Sequence, residues 1–108
     1  VFRKDWKMSD KLYYDQLLDF YEELLSQSQQ EMVKYYYRQD LSLQEISELE
    51  GVSRSAIYDR LKRIRLELDH LEKVLGLYQK KEKRNQILTQ IKGRVDFEVW
   101  EKLTQLED

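Results

Sequence analysis

Residues 41–63 read LSLQEISELEGVSRSAIYDRLKR, a stretch that predicts two helices joined by a tight turn. Ser42 and Glu45 have the spacing of a capping box, which begins the first of these helices. Gly51 stands where a left-handed residue ends a helix, and Ser53 is placed to cap the next one. A capped helix, a glycine turn and a second helix with a cationic start form the layout of a DNA-reading helix-turn-helix.

The composition favours helices over strands. The 108 residues include no proline and only three glycines, so few residues interrupt a helix. No alternating apolar and polar run lies between turn residues, as a half-buried strand requires. We therefore predict a small all-α protein with a helix-turn-helix core, a long fourth helix and a C-terminal helical extension.

The composition also excludes several classes of function. Cysteine is absent, which removes disulfides, thiolate metal sites and thiol nucleophiles. His70 is the only histidine, and neighbouring acids alone do not predict a metal site. The sequence contains no glycine-rich phosphate loop and no nucleophile elbow. It therefore predicts no enzyme, no cofactor and no metal.

Hydropathy and the N-terminal residues bear on location. No apolar run reaches the length that spans a bilayer, and residues 1–7 lack the apolar core of a signal peptide. We expect a cytoplasmic protein without membrane insertion. Residues 8–10, Met-Ser-Asp, look like a natural start, which leaves residues 1–7 as an added segment or the product of an upstream start.

Apolar periodicity divides the chain into three predicted segments. They are an N-terminal tail at 1–8, a helix-turn-helix domain at 9–65 and a C-terminal helical extension at 66–108, which is the predicted dimerisation region. Helix one is predicted over residues 9–25.

Two further expectations concern helices two and three. Ser28 and Glu31 have capping-box spacing, so helix two is predicted to begin at Ser28 and to end near residue 38. Consecutive helical residues diverge by about 100°, so two of the tyrosines at residues 35–37 are expected in the core and one half exposed. The predicted inward residues of helix three are Leu43, Ile46 and Leu49.

Charge is unevenly distributed along the chain. The formal net charge of −2 counts against a generic nucleic-acid binder. Residues 54–65 nevertheless carry five bases against one acid, Asp59, and residues 80–94 carry six bases against Glu82. One cationic face on an acidic protein is therefore expected.

If the second helix of residues 41–63 enters the major groove, its first turns carry the residues that read bases. Arg54 can donate two hydrogen bonds to a guanine edge, and Ser55 can bond a base or a phosphate. Tyr58 is expected outside the core, where it packs on a thymine methyl group or reaches a phosphate. Asp59 has two alternatives: it accepts from a cytosine amino group, or it pairs with Arg63 one turn later.

Other side chains and one helix N-terminus are predicted to contact the phosphates of the DNA backbone. Lys62 and Arg63 hold the DNA backbone in this hypothesis, and the amide of Ser42 is offered to a phosphate. The complete predicted DNA-binding set is Ser42, Ser53, Arg54, Ser55, Tyr58, Asp59, Lys62 and Arg63. The alternative interpretation of this face is an ordinary solvated surface with ion pairs between successive turns.

A heptad pattern extends beyond the helix-turn-helix. Apolar residues follow one another at spacings of three and four from Ile57 to Tyr78, which predicts a heptad seam of about three heptads. Gly76 weakens the far end of this helix, which reaches from Ser53 to Tyr78 if it is unbroken. Its second half either packs on the C-terminal helices of the same chain or forms a homodimer interface, and the homodimer is favoured because two copies double the phosphate contacts. The predicted interface is Leu68, Leu71, Leu75 and Tyr78. Farther on, Asp96 is placed to cap a last helix bearing Phe97, Val99, Trp100, Leu103 and Leu106.

Three stretches together resemble the YlxM family of small bacterial helix-turn-helix proteins. They are VSRSAIYD at residues 52–59, LGLY at residues 75–78 and LLDFY at residues 17–21. The resemblance covers about residues 12–88. It implies a fold similar to region 4 of sigma factors. Where the family pattern has Asn-Ile, this chain has Arg60-Leu61. Leu61 keeps the core role of the isoleucine, and Arg60 adds a positive charge.

The resemblance also implies a biological setting. Family members are linked by gene neighbourhood to the signal recognition particle and its receptor, and they are described as candidate regulators of that pathway in the bacterial cytoplasm. The expected function is therefore DNA binding in regulation of protein targeting. The alternative is an accessory that contacts protein or RNA components of the signal recognition particle through the long helix and the basic residues 80–94. The family positions carried over are Ser42, Ser53, Arg54, Ser55, Tyr58 and Asp59.

Overall fold

The structure, a computed structural model, describes residues 8–106 and the side chains of residues 10–106. The expectations for residues 1–7 lie outside this part of the chain. The described residues form helices and short helical turns, with no strand, so the predicted all-α fold is confirmed. Two compact units divide between Leu75 and Gly76. The boundary predicted at residues 65 and 66 lies inside a helix instead.

The first unit contains four α-helices. Helix α1 covers Met8–Tyr21 and continues into a 3₁₀ turn at Glu22–Leu24. Helix α2 covers Gln27–Val33 and continues into a π-helical turn at Lys34–Arg38. Helices α3 and α4, which correspond to the predicted helix-turn-helix, cover Leu43–Glu50 and Arg54–Leu75.

The second unit is a pair of helices. Helix α5 covers Leu77–Ile91, and helix α6 covers Phe97–Gln105. Asp96 stands at the start of α6 as predicted, but its side chain makes no capping hydrogen bond there. No described residue of α5 or α6 is buried.

The capping serine of α2 lies two residues earlier than the sequence indicated, at Ser26 instead of Ser28. The Ser26 hydroxyl accepts from the Gln29 amide at 3.2 Å, and the Gln29 side chain accepts from the Ser26 amide at 3.0 Å. These reciprocal bonds form the capping box, so the predicted box at Ser28 and Glu31 is wrong. Glutamine fills the third helical position as well as glutamate does, because only its side-chain oxygen is needed.

The π-helical turn changes the environment of the tyrosine run. The Gln39 amide donates to the Lys34 carbonyl at 2.9 Å, a bond that spans five residues and widens the helix. Tyr35, Tyr36 and Tyr37 are all half-buried, so the expectation of two core tyrosines and one half-exposed tyrosine is wrong. Successive side chains diverge less in a wider helix, and the three rings therefore share the boundary of the core.

A left-handed residue sets the approach to α3. Asp40 has a φ of 55°, an uncommon backbone conformation for a residue with a side chain. The Lys11 ammonium lies 2.7 Å from the Asp40 carboxylate, and this contact lowers the pKa of that carboxyl group. Lys11 also lies 4.2 Å from the centre of the Tyr36 ring. Helix α1 and the π-helical turn are thereby tied to the loop that leads into α3.

The core of the first unit lies where α1, α2 and α3 pack against α4. One apolar stripe of α4 supplies Ile57, Leu61, Ile64 and Leu68, each no more than 1% exposed. The facing residues are Leu17, Leu18, Tyr21, Met32, Val33 and Ile46. Leu49, predicted to point inward, is 61% exposed because the buried face of α3 passes through Ile46 and Ser47.

The residues of the predicted dimer interface on α4 do not share one environment in the structure. Leu68 is fully buried in the core of its own chain, so it is not available as the predicted dimer contact. The helix ends at Leu75, and Gly76 adopts a φ of 62° before α5 begins. The helix is therefore not unbroken as far as Tyr78, and the interruption falls at Gly76, the residue expected to weaken its far end. A left-handed residue cannot continue an α-helix, and glycine adopts that conformation at little cost.

Hydrogen bonds explain why the second half of α4 stays with α1. The Tyr14 hydroxyl donates to Asp69 at 3.0 Å, and the Tyr21 hydroxyl donates to Glu72 at 2.6 Å. Both acceptors lie beyond the predicted end of the helix-turn-helix domain. Of the remaining seam residues, Leu71 and Tyr78 are half-buried, and Leu75 is 40% exposed.

Candidate nucleic-acid interface

Helix α3 begins with the capping box that the sequence predicts. The Ser42 hydroxyl accepts from the Glu45 amide at 3.1 Å, and the Glu45 carboxylate accepts from the Ser42 amide at 2.9 Å. This geometry corrects one predicted contact. The Ser42 amide already donates to Glu45, so it is not offered to a phosphate. Ser42 is exposed and acts in the structure as a cap.

The turn between α3 and α4 also has the predicted geometry. Gly51 has a φ of 67°, and its amide donates to the Ser47 carbonyl. The Ser53 hydroxyl accepts from the Ala56 amide at 3.1 Å, so Ser53 caps α4. These hydrogen bonds satisfy backbone and side-chain groups at the end of α3 and the start of α4 within the turn itself.

A small residue permits close packing of α3 on α4. Ser47 is 5% exposed, and its hydroxyl donates to the Gln44 carbonyl at 2.7 Å, so burial leaves that donor satisfied. Ile46 beside it is fully buried, as is Ile57 of α4. At the exposed rim, Arg60 of α4 lies 3.5 Å from Glu50 of α3. Ion pairs of this kind contribute about 0–1 kcal/mol, so packing holds the two helices together.

The outer face of α4 presents a polar stripe. Ser55, Asp59 and Lys62 recur at steps of four and three, all three are exposed, and Leu66 follows at 58% exposure. Arg54 is exposed at the first turn, and Arg63 is exposed beside the stripe. The structure thus places seven of the eight predicted DNA-binding residues at the surface: Ser42, Ser53, Arg54, Ser55, Asp59, Lys62 and Arg63.

Tyr58 is the exception, and the expectation that its side chain lies outside the core is wrong. It is 5% exposed. Residues seven apart share a helix face, and Tyr58 precedes the buried Arg65 by that spacing. The seven-residue spacing places Tyr58 in the core only if Arg65 is also buried. Arginine is rarely buried, so the sequence does not indicate this.

Arg65 was counted among the bases of the cationic face, and the structure removes it from that face. It is 7% exposed, its Nε donates to the Tyr37 hydroxyl at 3.1 Å, and its guanidinium lies 4.6 Å from the centre of the Tyr14 ring. Burial raises the pKa of Tyr37 to about 12 even though the nearby Arg65 acts to lower it. The bases left on the surface of this part of α4 are Arg54, Arg60, Lys62 and Arg63.

The described residues were also compared with three other kinds of feature: a ligand groove, a metal site and a membrane-spanning helix. An open groove of about 630 Å³ beside α4 has bases and acids on its walls, among them Arg60, Arg63, Glu31 and Glu50. Among residues 8–106, no group of three or more histidine, cysteine or acidic residues could hold a metal ion. Within the same range, no helix is both long enough and apolar enough to cross a membrane.

A match to a known protein family identifies α3 and α4 as part of a helix-turn-helix protein. The profile of the UPF0122 family, described as "Putative helix-turn-helix protein, YlxM / p13 like", matches residues 8–106. The chain belongs to the UPF0122 family. The resemblance to YlxM proteins is thereby confirmed, as is the helix-turn-helix. A helix-turn-helix family suggests DNA binding.

Curated relatives agree with this assignment. A UPF0122 protein of Halalkalibacterium halodurans is 46% identical over 90 residues, which cover 82% of this chain and 83% of the relative. A UPF0122 protein of Oceanobacillus iheyensis is 44% identical over 93 residues, covering 85% and 89% of the two chains. A UPF0122 protein of Listeria monocytogenes is 40% identical over 98 residues, with the same coverage of 85% and 89%.

Proposed function

We propose that this UPF0122 protein binds duplex DNA by inserting the first turns of α4 into the major groove. The observation that carries the proposal is the division of α4 into two faces. Ile57, Tyr58 and Leu61 are buried against the rest of the unit, while Arg54, Ser55, Asp59 and Lys62 face outward from the same turns. A recognition helix needs this division, because one face must be held rigidly while the other meets the bases.

The exposed residues have distinct roles in the proposal. Arg54 reads guanine through its O6 and N7 atoms, because the guanidinium fork matches that pair of acceptors. Ser55 bonds a base or a phosphate, and Asp59 accepts from a cytosine amino group or pairs with Arg63. Lys62 and Arg63 neutralise phosphates, which supports affinity without reading sequence. Ser53 and Ser42 contribute by fixing the starts of α4 and α3.

The test begins with selection from a random duplex pool and continues with fluorescence anisotropy on the selected duplex. The expected loss for Arg54→Ala is about 5- to 150-fold in affinity, since a good bidentate base contact supplies about 1–3 kcal/mol. Lys62→Ala should weaken binding to all duplexes and reduce the salt slope by about 1. Lys73→Ala is the matched control, because Lys73 is exposed on the same helix three turns farther on.

Two results would count against the proposal. One is the absence of any selected consensus together with weak, strongly salt-dependent binding, which is typical of non-specific contact. The other is an equal effect of Lys62→Ala and Lys73→Ala, since the proposal places only the first near phosphate.

The role in protein targeting is a narrower proposal, supported by the YlxM resemblance, which also implies a bacterial cytoplasm. A second candidate function, contact with RNA of the signal recognition particle, is favoured by the basic residues of α5. Lys80 and Lys83 are exposed there. This candidate predicts that Lys80→Ala with Lys83→Ala abolishes RNA binding while Arg54→Ala leaves it unchanged. The DNA proposal predicts the reverse pattern on duplex DNA.

A further inference from the structure

The helix pair of the second unit leaves a large part of its apolar surface exposed. Phe97 is 74% exposed, Leu106 is 82% exposed and Val99 is 44% exposed. On α5, Ile87 is 57% exposed. Leu77 at the start of α5 is 38% exposed. Single exposed apolar residues are ordinary in proteins, but five within one short helix pair leave much apolar area for a partner to cover.

The pattern of α6 locates this surface. At 100° per residue, its apolar residues occupy about half of the helix circumference, whereas contact with one neighbouring helix covers a narrower stripe. Trp100 and Leu103, at the centre of the apolar half, are half-buried. Phe97 lies on one flank of that centre, and Val99 and Leu106 lie on the other. The apolar face of α6 is therefore wider than the stripe that one neighbouring helix can cover.

The size of the second unit supports the same conclusion. It spans Gly76–Asp108, and folded units of fewer than about 40 residues usually depend on disulfides, metals or association. The chain has no cysteine, and the described residues contain no metal-binding group. Association with a further apolar surface is the device that these residues leave open.

Charge indicates which partner fits. Helix α5 carries four bases and one acid, whereas α6 and the Asp96 before it carry three acids and one base. The two helices therefore carry net charges of opposite sign, and a second copy can place its acidic α6 along the basic α5 of the first. A two-fold interface requires this kind of self-complementary surface.

We propose that the second unit is a homodimerisation module, in which the helix pairs of two chains pack into an antiparallel four-helix bundle. Phe97, Val99 and Leu106 enter the bundle core, and α5 of each chain lies along α6 of its partner. This interface replaces the seam at Leu68, Leu71, Leu75 and Tyr78 that the heptad pattern predicts. The inference does not rest on DNA binding, and it holds for the protein without any ligand.

The test is the molecular mass of the full chain in solution, measured by sedimentation equilibrium across a concentration series. The expected mass is twice the 13.3 kDa of one chain. The variant Phe97→Ser with Leu106→Ser should raise the dissociation constant of the dimer by at least about 100-fold, because each substitution removes apolar contact twice in a symmetric dimer. The urea unfolding of the first unit should not change, since both substituted side chains lie in the second unit.

The matched control is Leu12→Ser with Leu24→Ser, two leucines of the first unit that are each 59% exposed. It should leave the dimer intact. A second variant, Glu98→Lys with Glu101→Lys, should weaken the dimer by about 5-fold or more at low salt, because it removes the charge complementarity. The proposal is overturned if the unaltered chain is a monomer at about 100 µM, which would assign this surface to a different protein. It is also overturned if the control variant disrupts the dimer as strongly as the Phe97 and Leu106 variant.

Discussion

Arg65 of α4 donates a hydrogen bond from Nε to the hydroxyl of Tyr37, 3.1 Å away in the π-helical turn. The same guanidinium lies 4.6 Å from the centre of the Tyr14 ring of α1. One buried arginine of α4 thus contacts two other elements of the first unit. It holds the π-helical turn and α1 against the middle of the helix whose outer face is the candidate DNA reader.

Replacing Arg65 should therefore destabilise the fold. We expect Arg65→Ala to lower the free energy of unfolding by about 3 kcal/mol, because it removes a buried hydrogen bond, a cation–π contact and the packing of the alkyl chain. Arg63→Ala, at an exposed position two residues earlier, should change it by less than about 0.5 kcal/mol. Urea unfolding measures both values. Equal effects of the two substitutions would contradict the structural role of Arg65.

Tyr37 should make the fold sensitive to alkaline pH. Burial raises its pKa to about 12, above the value of about 10 for an unfolded chain. The folded state therefore holds the hydroxyl proton more tightly. The stabilisation is fully present below pH 10 and is lost as the pH rises toward 12. Over that range, the free energy of unfolding should fall less steeply for Tyr37→Phe than for the unaltered chain. Identical slopes would show that Tyr37 ionises freely in the folded protein.

The start of α2 offers a matched pair of serines. Ser26→Ala should cost about 1 kcal/mol of stability, because it removes the acceptor for the Gln29 amide. Ser28 lies inside the helix and is exposed, so Ser28→Ala should cost less than about 0.5 kcal/mol. Thermal or urea unfolding distinguishes the two. A larger cost for Ser28→Ala would restore the capping box that its spacing to Glu31 suggested.

Substitutions at Tyr58 and Arg54 should distinguish a residue that stabilises the fold from one that contacts DNA. Tyr58→Ala should lower the free energy of unfolding by about 3 kcal/mol, because it leaves a cavity in a packed core. Arg54→Ala should leave stability within about 0.5 kcal/mol of the unaltered chain, since Arg54 is exposed at the first turn of α4. The measurement is urea unfolding of both variants. A stable Tyr58→Ala variant that loses DNA affinity would return Tyr58 to the contact surface.

The parts of the fold that depend on neighbouring residues could be predicted from the sequence. The box at Ser42 and Glu45 and the left-handed Gly51 involve bonds within one or two turns, so residue spacing is enough to specify them. The box at Ser26 and Gln29 has the same local character. Ser28 and Glu31 have the same spacing two residues later, so spacing alone does not choose between the two boxes.

The parts that depend on distant contacts could not be predicted in the same way. Leu68 and Leu71 follow a heptad pattern that suits an intermolecular seam and an intramolecular core equally well. What decides between them is α1, whose Tyr14 and Tyr21 hydrogen-bond to Asp69 and Glu72. Arg65 is similar: nothing in the charge pattern indicates that two tyrosines from other elements will surround it.

The measurement that tests the proposed function most directly is selection of duplexes from a random pool by the unaltered chain and by Arg54→Ala in parallel. We predict that the unaltered chain selects a consensus containing guanine, and that Arg54→Ala relaxes the preference at that guanine while keeping the rest of the consensus. Selection of no consensus by a folded chain would contradict DNA reading by α4. An identical consensus from both proteins would exclude Arg54 as the base-reading residue.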